Sequence, residues 1–195
     1  MILFAPGAGL PSTSPWMTQW AERLRTLAPV TPFDYPYQRA GRKRPDRHDV
    51  LVDAHREALR AVREARGDGP VVLVGKSMGS RIGCHLAVED PSIAAVVCFG
   101  YPLISQSGAV RDQVLLALRR PVLFVQGTRD PLCPLPALAE VRARMTAPTD
   151  LWVVEAGDHS LQVTAAEAKR TSQADHDAQV LARVGAFLTE RAPTA

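Results

Sequence analysis

Six short runs of apolar residues, none of them alternating with polar ones, constrain this chain more than any other feature. They are Ile2–Ala5, Val30–Tyr35, Val71–Val74, Ala94–Phe99, Pro121–Val125 and Leu151–Val154. A strand with one wet face alternates; a strand covered on both faces does not, and continuous apolar strands belong to parallel sheets with helices on each side. Helical patterns fill the gaps. Ser14-Pro15 reads as an N-cap followed by proline at the first helical position, and Trp16, Trp20, Leu24 and Leu27 then recur at helical spacing. Leu51, Ala54, His55, Ala58 and Val62 do the same within Asp49–Arg66, and Met78–Glu89, Asp112–Leu118, Leu135–Met145 and His176–Leu188 complete the set. Strands alternating with helices predict an α/β doubly wound fold, a mostly parallel sheet of about six strands flanked on both faces. A chain of 195 residues is the size of one domain, expected over residues 1–191, with 192–195 expected to fray.

The chemistry is concentrated after the clearest strand. Gly75-Lys76-Ser77-Met78-Gly79 is a G-x-S-x-G motif between the Val71–Val74 strand and a helical pattern. That context matches a nucleophile elbow, a sharp turn that lifts the serine hydroxyl above the C-terminal ends of the strands. Lys76 is expected exposed beside the elbow and is assigned no role.

A serine hydroxyl is a weak nucleophile without a base, and the base needs an acid to orient it. The expected order is serine, acid, histidine. Asp130, in Gln126-Gly127-Thr128-Arg129-Asp130-Pro131, follows the fifth strand, and His159, in Ala156-Gly157-Asp158-His159-Ser160, follows the sixth. Both therefore emerge at the sheet edge that carries Ser77. Asp158 is the rival acid, ranked second because adjacent side chains on an extended loop diverge. His55 reads as a core or boundary residue, His85 as too far along its helix to serve Ser77, and His48 and His176 as surface residues. The backbone N–H of Met78 is the first expected oxyanion donor. The second falls in Pro6-Gly7-Ala8-Gly9, where Ala8 is preferred and Gly9 is the alternate; Pro6 has no N–H to give.

The composition narrows the alternatives. A net charge of +3 is too mild to argue for nucleic acid, and only Lys43, Lys76 and Lys169 are lysines. No apolar run approaches membrane-span length, so no membrane partner is expected. The N-terminus lacks a basic region and a cleavage site, which argues against a signal peptide. Three cysteines, Cys84, Cys98 and Cys133, make neither a disulfide framework nor a CxxC zinc site. A cytoplasmic location is expected, with no metal and no cofactor. Monomer and homodimer both stay open.

With these residues in view, the chain resembles the α/β-hydrolase superfamily, and within it the small uncapped group similar to dienelactone hydrolases and testis-expressed hydrolase-like proteins. The resemblance rests on Ala5-Pro6-Gly7-Ala8-Gly9, Gly75-Lys76-Ser77-Met78-Gly79-Ser80-Arg81, Gly100-Tyr101-Pro102-Leu103, Gln126–Cys133 and Gly157-Asp158-His159-Ser160. It implies a minimal α/β-hydrolase fold, a triad of Ser77, Asp130 and His159, and oxyanion donors at Met78 and Ala8. Two departures stand out. Pro6 replaces the histidine of the usual His-Gly oxyanion loop, and the chain starts at a strand that larger members precede with two more, which leaves the first strand central. The serine in place of cysteine separates the chain from true dienelactone hydrolases.

Only about twenty residues separate the fourth and fifth strands, room for a loop and one short helix but no cap. An open pocket suits short-chain esters or thioesters, with Leu10, Tyr101, Leu103, Leu132 and Leu161 as candidate walls. Arg39, Arg42, Lys43, Arg44 and Arg47 form a basic run read chiefly as a solvated loop, with attraction of anionic substrates as its functional alternative. Cys133 reads as a packing residue near Asp130. The expected activity is a serine esterase or thioesterase acting through an acyl-enzyme. A non-catalytic interaction module, favoured by Pro6, and a serine peptidase or amidase are the competing readings.

Overall fold

The computed structural model describes residues 1–67 and 69–191; the expected frayed tail at 192–195 lies outside them. All six runs form strands: β1 (Ile2–Ala5), β2 (Val30–Pro32), β3 (Val71–Lys76), β4 (Ile93–Phe99), β5 (Val122–Gly127) and β6 (Thr149–Val154). They build one sheet in the order β2-β1-β3-β4-β5-β6, with every pair parallel. β1 is therefore interior but second from the edge rather than central.

The absence of polar alternation has a direct cause. Leu3, Leu73, Val96, Cys98, Val122 and Phe124 face one core, which is closed by α3 (His48–Arg66), α4 (Met78–Glu89), α5 (Gln113–Ala117) and α6 (Leu135–Arg144). Their chain neighbours Phe4, Val72, Val74, Val97, Leu123 and Val125 face a second core beneath α1 (Pro15–Arg25) and α8 (Gln173–Arg191). In β1, β3, β4 and β5 both faces are buried, so both need apolar side chains; the edge strands β2 and β6 are only partly covered. Ser14 does stand at the N-cap of α1, with Pro15 next, but its side chain makes no capping bond.

Three elements escape the pattern. β2 ends at Pro32 because the chain turns away there; Asp34 instead accepts hydrogen bonds from the Ser12 backbone N–H at 2.6 Å and its hydroxyl at 2.9 Å. The helices α2 (Pro36–Arg39) and α7 (Ala165–Ala168) are four residues each, too short for a periodic signal. Between β4 and β5 the chain carries only the Ile104–Val110 bridge and α5, so no cap domain is inserted there.

The strand order sets the site. β1 leads outward to β2 while the chain continues to β3 on the other side, so the direction of winding reverses between β1 and β3. Loops at such a switch point diverge and leave a crevice. The register pairs Ala5 with Gly75, which puts the loop at Pro6–Gly9 directly beside Ser77.

Candidate active site

Ser77 sits between β3 and α4 with φ 51° and ψ −114°. A non-glycine residue in that region carries strain of order 1–3 kcal/mol. The packing around it leaves no room to relax. A Cβ on Gly75 would lie 2.3 Å from the Ser80 nitrogen, and one on Gly79 would lie 2.6 Å from the carbonyl oxygens of Ala5 and Pro6. The two motif glycines let α4 press its first turn against β1 and β3, which forces the serine up and out.

The structure brings the three expected side chains together. His159 Nε2 lies 2.8 Å from Ser77 Oγ, and His159 Nδ1 lies 2.7 Å from Asp130 Oδ2. The Asp130 side chain is fully buried, whereas that of His159 is 24% exposed. Asp130 also accepts from the Leu132 backbone N–H at 2.9 Å and from the Gln126 amide. Gln126 was not singled out from sequence. Its Oε1 accepts from the Tyr101 N–H at 3.0 Å, so it ties the acid to the loop after β4. The rival acid Asp158 is committed elsewhere: its Oδ1 accepts from the backbone N–H groups of Ser160 at 2.7 Å and Gln162 at 2.9 Å. It shapes the turn that presents His159.

Ala8 lines the same cleft as Ser77 and Met78. Met78 is the first residue of α4, where a backbone N–H has no partner within the helix. The loop lacks a histidine brace but has another. Tyr37 Oη donates to the Ala8 carbonyl at 2.7 Å, and the Gln38 amide donates to the Gly7 carbonyl at 3.0 Å and the Leu10 carbonyl at 3.3 Å. α2 thus holds the loop by its carbonyls. Burial first, then Asp46 and Asp34, push the Tyr37 hydroxyl up to about 12, so it remains a donor across the physiological range.

A family model described as an alpha/beta hydrolase domain matches residues 1–189. The chain belongs to the alpha/beta hydrolase family. Among curated proteins, Lipase LipV of Mycobacterium tuberculosis (strain ATCC 25618 / H37Rv) is 35% identical over 106 residues, 54% of this chain and 38% of the lipase. The match thus spans well under half of that relative's length. Among solved structures, an alpha-beta serine hydrolase homologue from Coxiella burnetii superposes with a TM-score of 0.74 at 18% identity, covering 94% of this chain and 84% of the other. Dienelactone hydrolase from Anabaena variabilis ATCC 29413 gives a TM-score of 0.70 at 19% identity, over 97% and 85%. At these identities the structural matches speak to the fold, which is the minimal α/β-hydrolase sheet with helices on both faces.

Within this hydrolase fold, Lys76 departs from expectation. It is 2% exposed, not solvated. Its ammonium donates to the His159 carbonyl at 2.6 Å and stands 5.6 Å from the centroid of Trp16. Trp16 Nε1 in turn donates to the Ser160 carbonyl at 2.9 Å. Together they hold the turn that carries His159. Burial pulls Lys76 down to about 8, against the opposing pull of Asp130 and Asp158. Gly100, at φ +62°, makes room for this: a Cβ there would lie 2.5 Å from the His159 carbonyl oxygen.

The cleft over Ser77 holds about 400 Å³ and is lined by Ala8, Met78, Arg81, Ile104, Arg111 and Leu132, among others. Of the five expected wall residues, only Leu132 is there. Tyr101 and Leu103 are fully buried in the core under α4–α6, and Leu161 in the core under α1 and α8. The positive φ at Gly100 and Leu161 turns these loops back onto the sheet instead of over the cleft. Leu10 is half-buried but does not reach it.

Other histidines separate clearly. His55 is fully buried with Tyr35 Oη 3.3 Å from its Nδ1. His176, expected at the surface, is buried, with Nε2 3.4 Å from Glu167. His48 is exposed as expected, yet it borders the cleft and packs on His85 at 4.2 Å between ring centroids. The basic run is solvated: Arg39, Arg42, Lys43, Arg44 and Arg47 are exposed, with Arg42 on Asp46 and Arg47 on Asp49. Cys133 is buried behind Asp130, and burial, reinforced by that carboxylate, pushes its thiol up to about 12. Among the described residues, no helix is long and apolar enough to cross a membrane.

Proposed function

We propose that this protein is a serine hydrolase of short-chain carboxylic esters or thioesters. The observation that carries the reading is the continuous hydrogen-bonded line from Ser77 Oγ through the His159 ring to buried Asp130, at 2.8 Å and 2.7 Å. His159 Nε2 takes the proton as Ser77 Oγ bonds to the acyl carbon. Asp130 holds Nδ1 protonated, which fixes the tautomer and supports the imidazolium. The carbonyl oxygen becomes an oxyanion that accepts from the N–H groups of Met78 and Ala8. Collapse breaks the bond to the leaving oxygen or sulfur, which receives the proton from Nε2. Water, deprotonated by the same nitrogen, then releases the acid and restores Ser77.

A small uncapped cleft favours short acyl groups. Steady-state hydrolysis of p-nitrophenyl acetate, butyrate and octanoate, beside butyryl thioesters, tests this reading. Short chains are expected to win, and Ser77→Ala is expected to lower kcat on the order of 10⁴–10⁶-fold. A loss under tenfold contradicts the assignment of Ser77.

A further inference from the structure

The cleft does not end at Ser77. It opens into a second cavity of about 330 Å³, and the two share His48, Arg81 and Arg111. Arg81 lies one helical turn beyond the elbow, its backbone N–H bonded to the Ser77 carbonyl at 3.2 Å. Helical side chains lean toward the N-terminus, so its guanidinium leans back toward the reacting end. Arg111 comes from the loop after β4, pinned by its N–H to the Leu103 carbonyl at 2.8 Å and by Tyr101 Oη on its own carbonyl at 3.4 Å.

Both arginines are half-buried, and neither meets a carboxylate among the described residues. Burial lowers the Arg81 guanidinium, Tyr101 opposes that, and Arg111, a cation of like sign, adds to it. The nearby carboxylates are occupied: Asp46 by Arg42 at 2.7 Å and by the Tyr37 N–H at 2.9 Å, Asp112 by Arg144 at 3.0 Å, Asp49 by Arg47 at 3.2 Å, and Glu89 by Arg56 at 2.5 Å. The histidines add no counter-charge. Burial, then His48 and Arg81, push His85 down to about 4, and burial with Arg81 also lowers His48. Two paired cations facing a cavity without an anion repel one another, and a planar guanidinium fork fits carboxylate or phosphate oxygens best.

We infer that Arg81 and Arg111 form an oxyanion-binding subsite beside Ser77, and that the substrate is a short ester bearing a carboxylate or phosphate. The inference rests on the hydrolase reading for its reaction but not for its binding site.

The test compares kcat/KM for mono-p-nitrophenyl glutarate with p-nitrophenyl valerate, which puts the anion on the acyl side. It also compares 4-acetoxybenzoate with phenyl acetate, which puts it on the leaving group. One pair is expected to favour the anionic ester by about 10- to 100-fold, the span of a charge-assisted contact. That ratio should collapse toward one in Arg81→Met and Arg111→Met, and shrink in the wild type between low and high salt. Calorimetric titration of Ser77→Ala with glutarate and with inorganic phosphate reads binding without turnover and separates the two anions.

Neutral esters hydrolysed with no anionic preference, no salt effect and no binding overturn the subsite and leave the hydrolase reading standing. No hydrolysis, with glutarate or phosphate bound by Ser77→Ala and lost on adding Arg81→Met, supports the subsite and overturns the hydrolase reading. Neither hydrolysis nor binding overturns both.

Discussion

The Lys76 ammonium donates to the backbone carbonyl of His159 at 2.6 Å while buried to 2% exposure. A residue adjacent to Ser77 along the chain thus fixes the turn carrying the histidine that faces that same serine. Ser77 and His159 share one scaffold, and the linkage has consequences for both rate and stability.

Lys76→Met keeps the length of the stem and removes the donor. The His159 turn loses a partner, and kcat on short esters is expected to fall about 10- to 100-fold, as a small misplacement of a reacting group does. KM should change little, because Lys76 does not line the cleft. Paired kcat and KM measurements check the split; a change confined to KM contradicts a positioning role.

Lys76 also predicts an unusual alkaline limb. Its folded value of about 8 lies below the ordinary 10.5. Between those values the unfolded chain holds a proton that the folded chain has released, so stability rises with pH across that window. The full span is on the order of 3 kcal/mol. Urea unfolding from pH 7.5 to 10.5 should show the rise in the wild type and a flatter profile in Lys76→Met.

His55 acts at the other end. Burial holds it near 3, below its ordinary 6.5, and its Nε2 has no partner among the described residues. The unfolded chain therefore binds the extra proton between about 6.5 and 3, and stability is lost as pH falls through that window. The double variant His55→Leu with Tyr35→Phe removes both ends of the Tyr35–His55 contact. It should unfold at a lower pH than the wild type in an acid titration followed by circular dichroism.

Strain at Ser77 can be released. Glycine accepts φ 51° without a Cβ penalty, so Ser77→Gly should be inactive yet more stable by about 1 kcal/mol. Thermal melts check it; a destabilised Ser77→Gly would mean that the serine side chain contributes more than its backbone costs.

The loop at Pro6–Gly9 depends on α2. Tyr37→Phe deletes the hydroxyl bonded to the Ala8 carbonyl at 2.7 Å, and kcat is expected to fall about tenfold or more, within the range of a disturbed oxyanion donor. Transition-state analogue affinity should fall in parallel, while the melting temperature moves by only a few degrees.

Much of this was legible in the sequence for physical reasons. Strands buried on both faces announce themselves through unbroken apolar runs, and the strand-end positions of Asp130 and His159 follow from where those runs stop; the strand order, with β1 second from the edge, does not. What stayed hidden depends on contacts distant along the chain. Nothing near Lys76 reveals that Trp16 and the His159 turn will enclose it. Tyr37 and Gln38 lie on a single helical turn with no periodicity to mark it. Tyr101, Leu103 and Leu161 looked like pocket walls because they follow strand ends, but left-handed backbone at Gly100 and at Leu161 itself folds them inward. Arg81 and Arg111 are thirty residues apart in sequence, and only the cleft brings them to one place.

The most direct test of the central claim is labelling of the purified protein with a fluorophosphonate, followed by mass spectrometry of the modified peptide. The account predicts rapid modification of Ser77, abolished in His159→Ala. A folded wild-type protein that stays unmodified, or that is modified equally well without His159, would contradict an activated serine at this site.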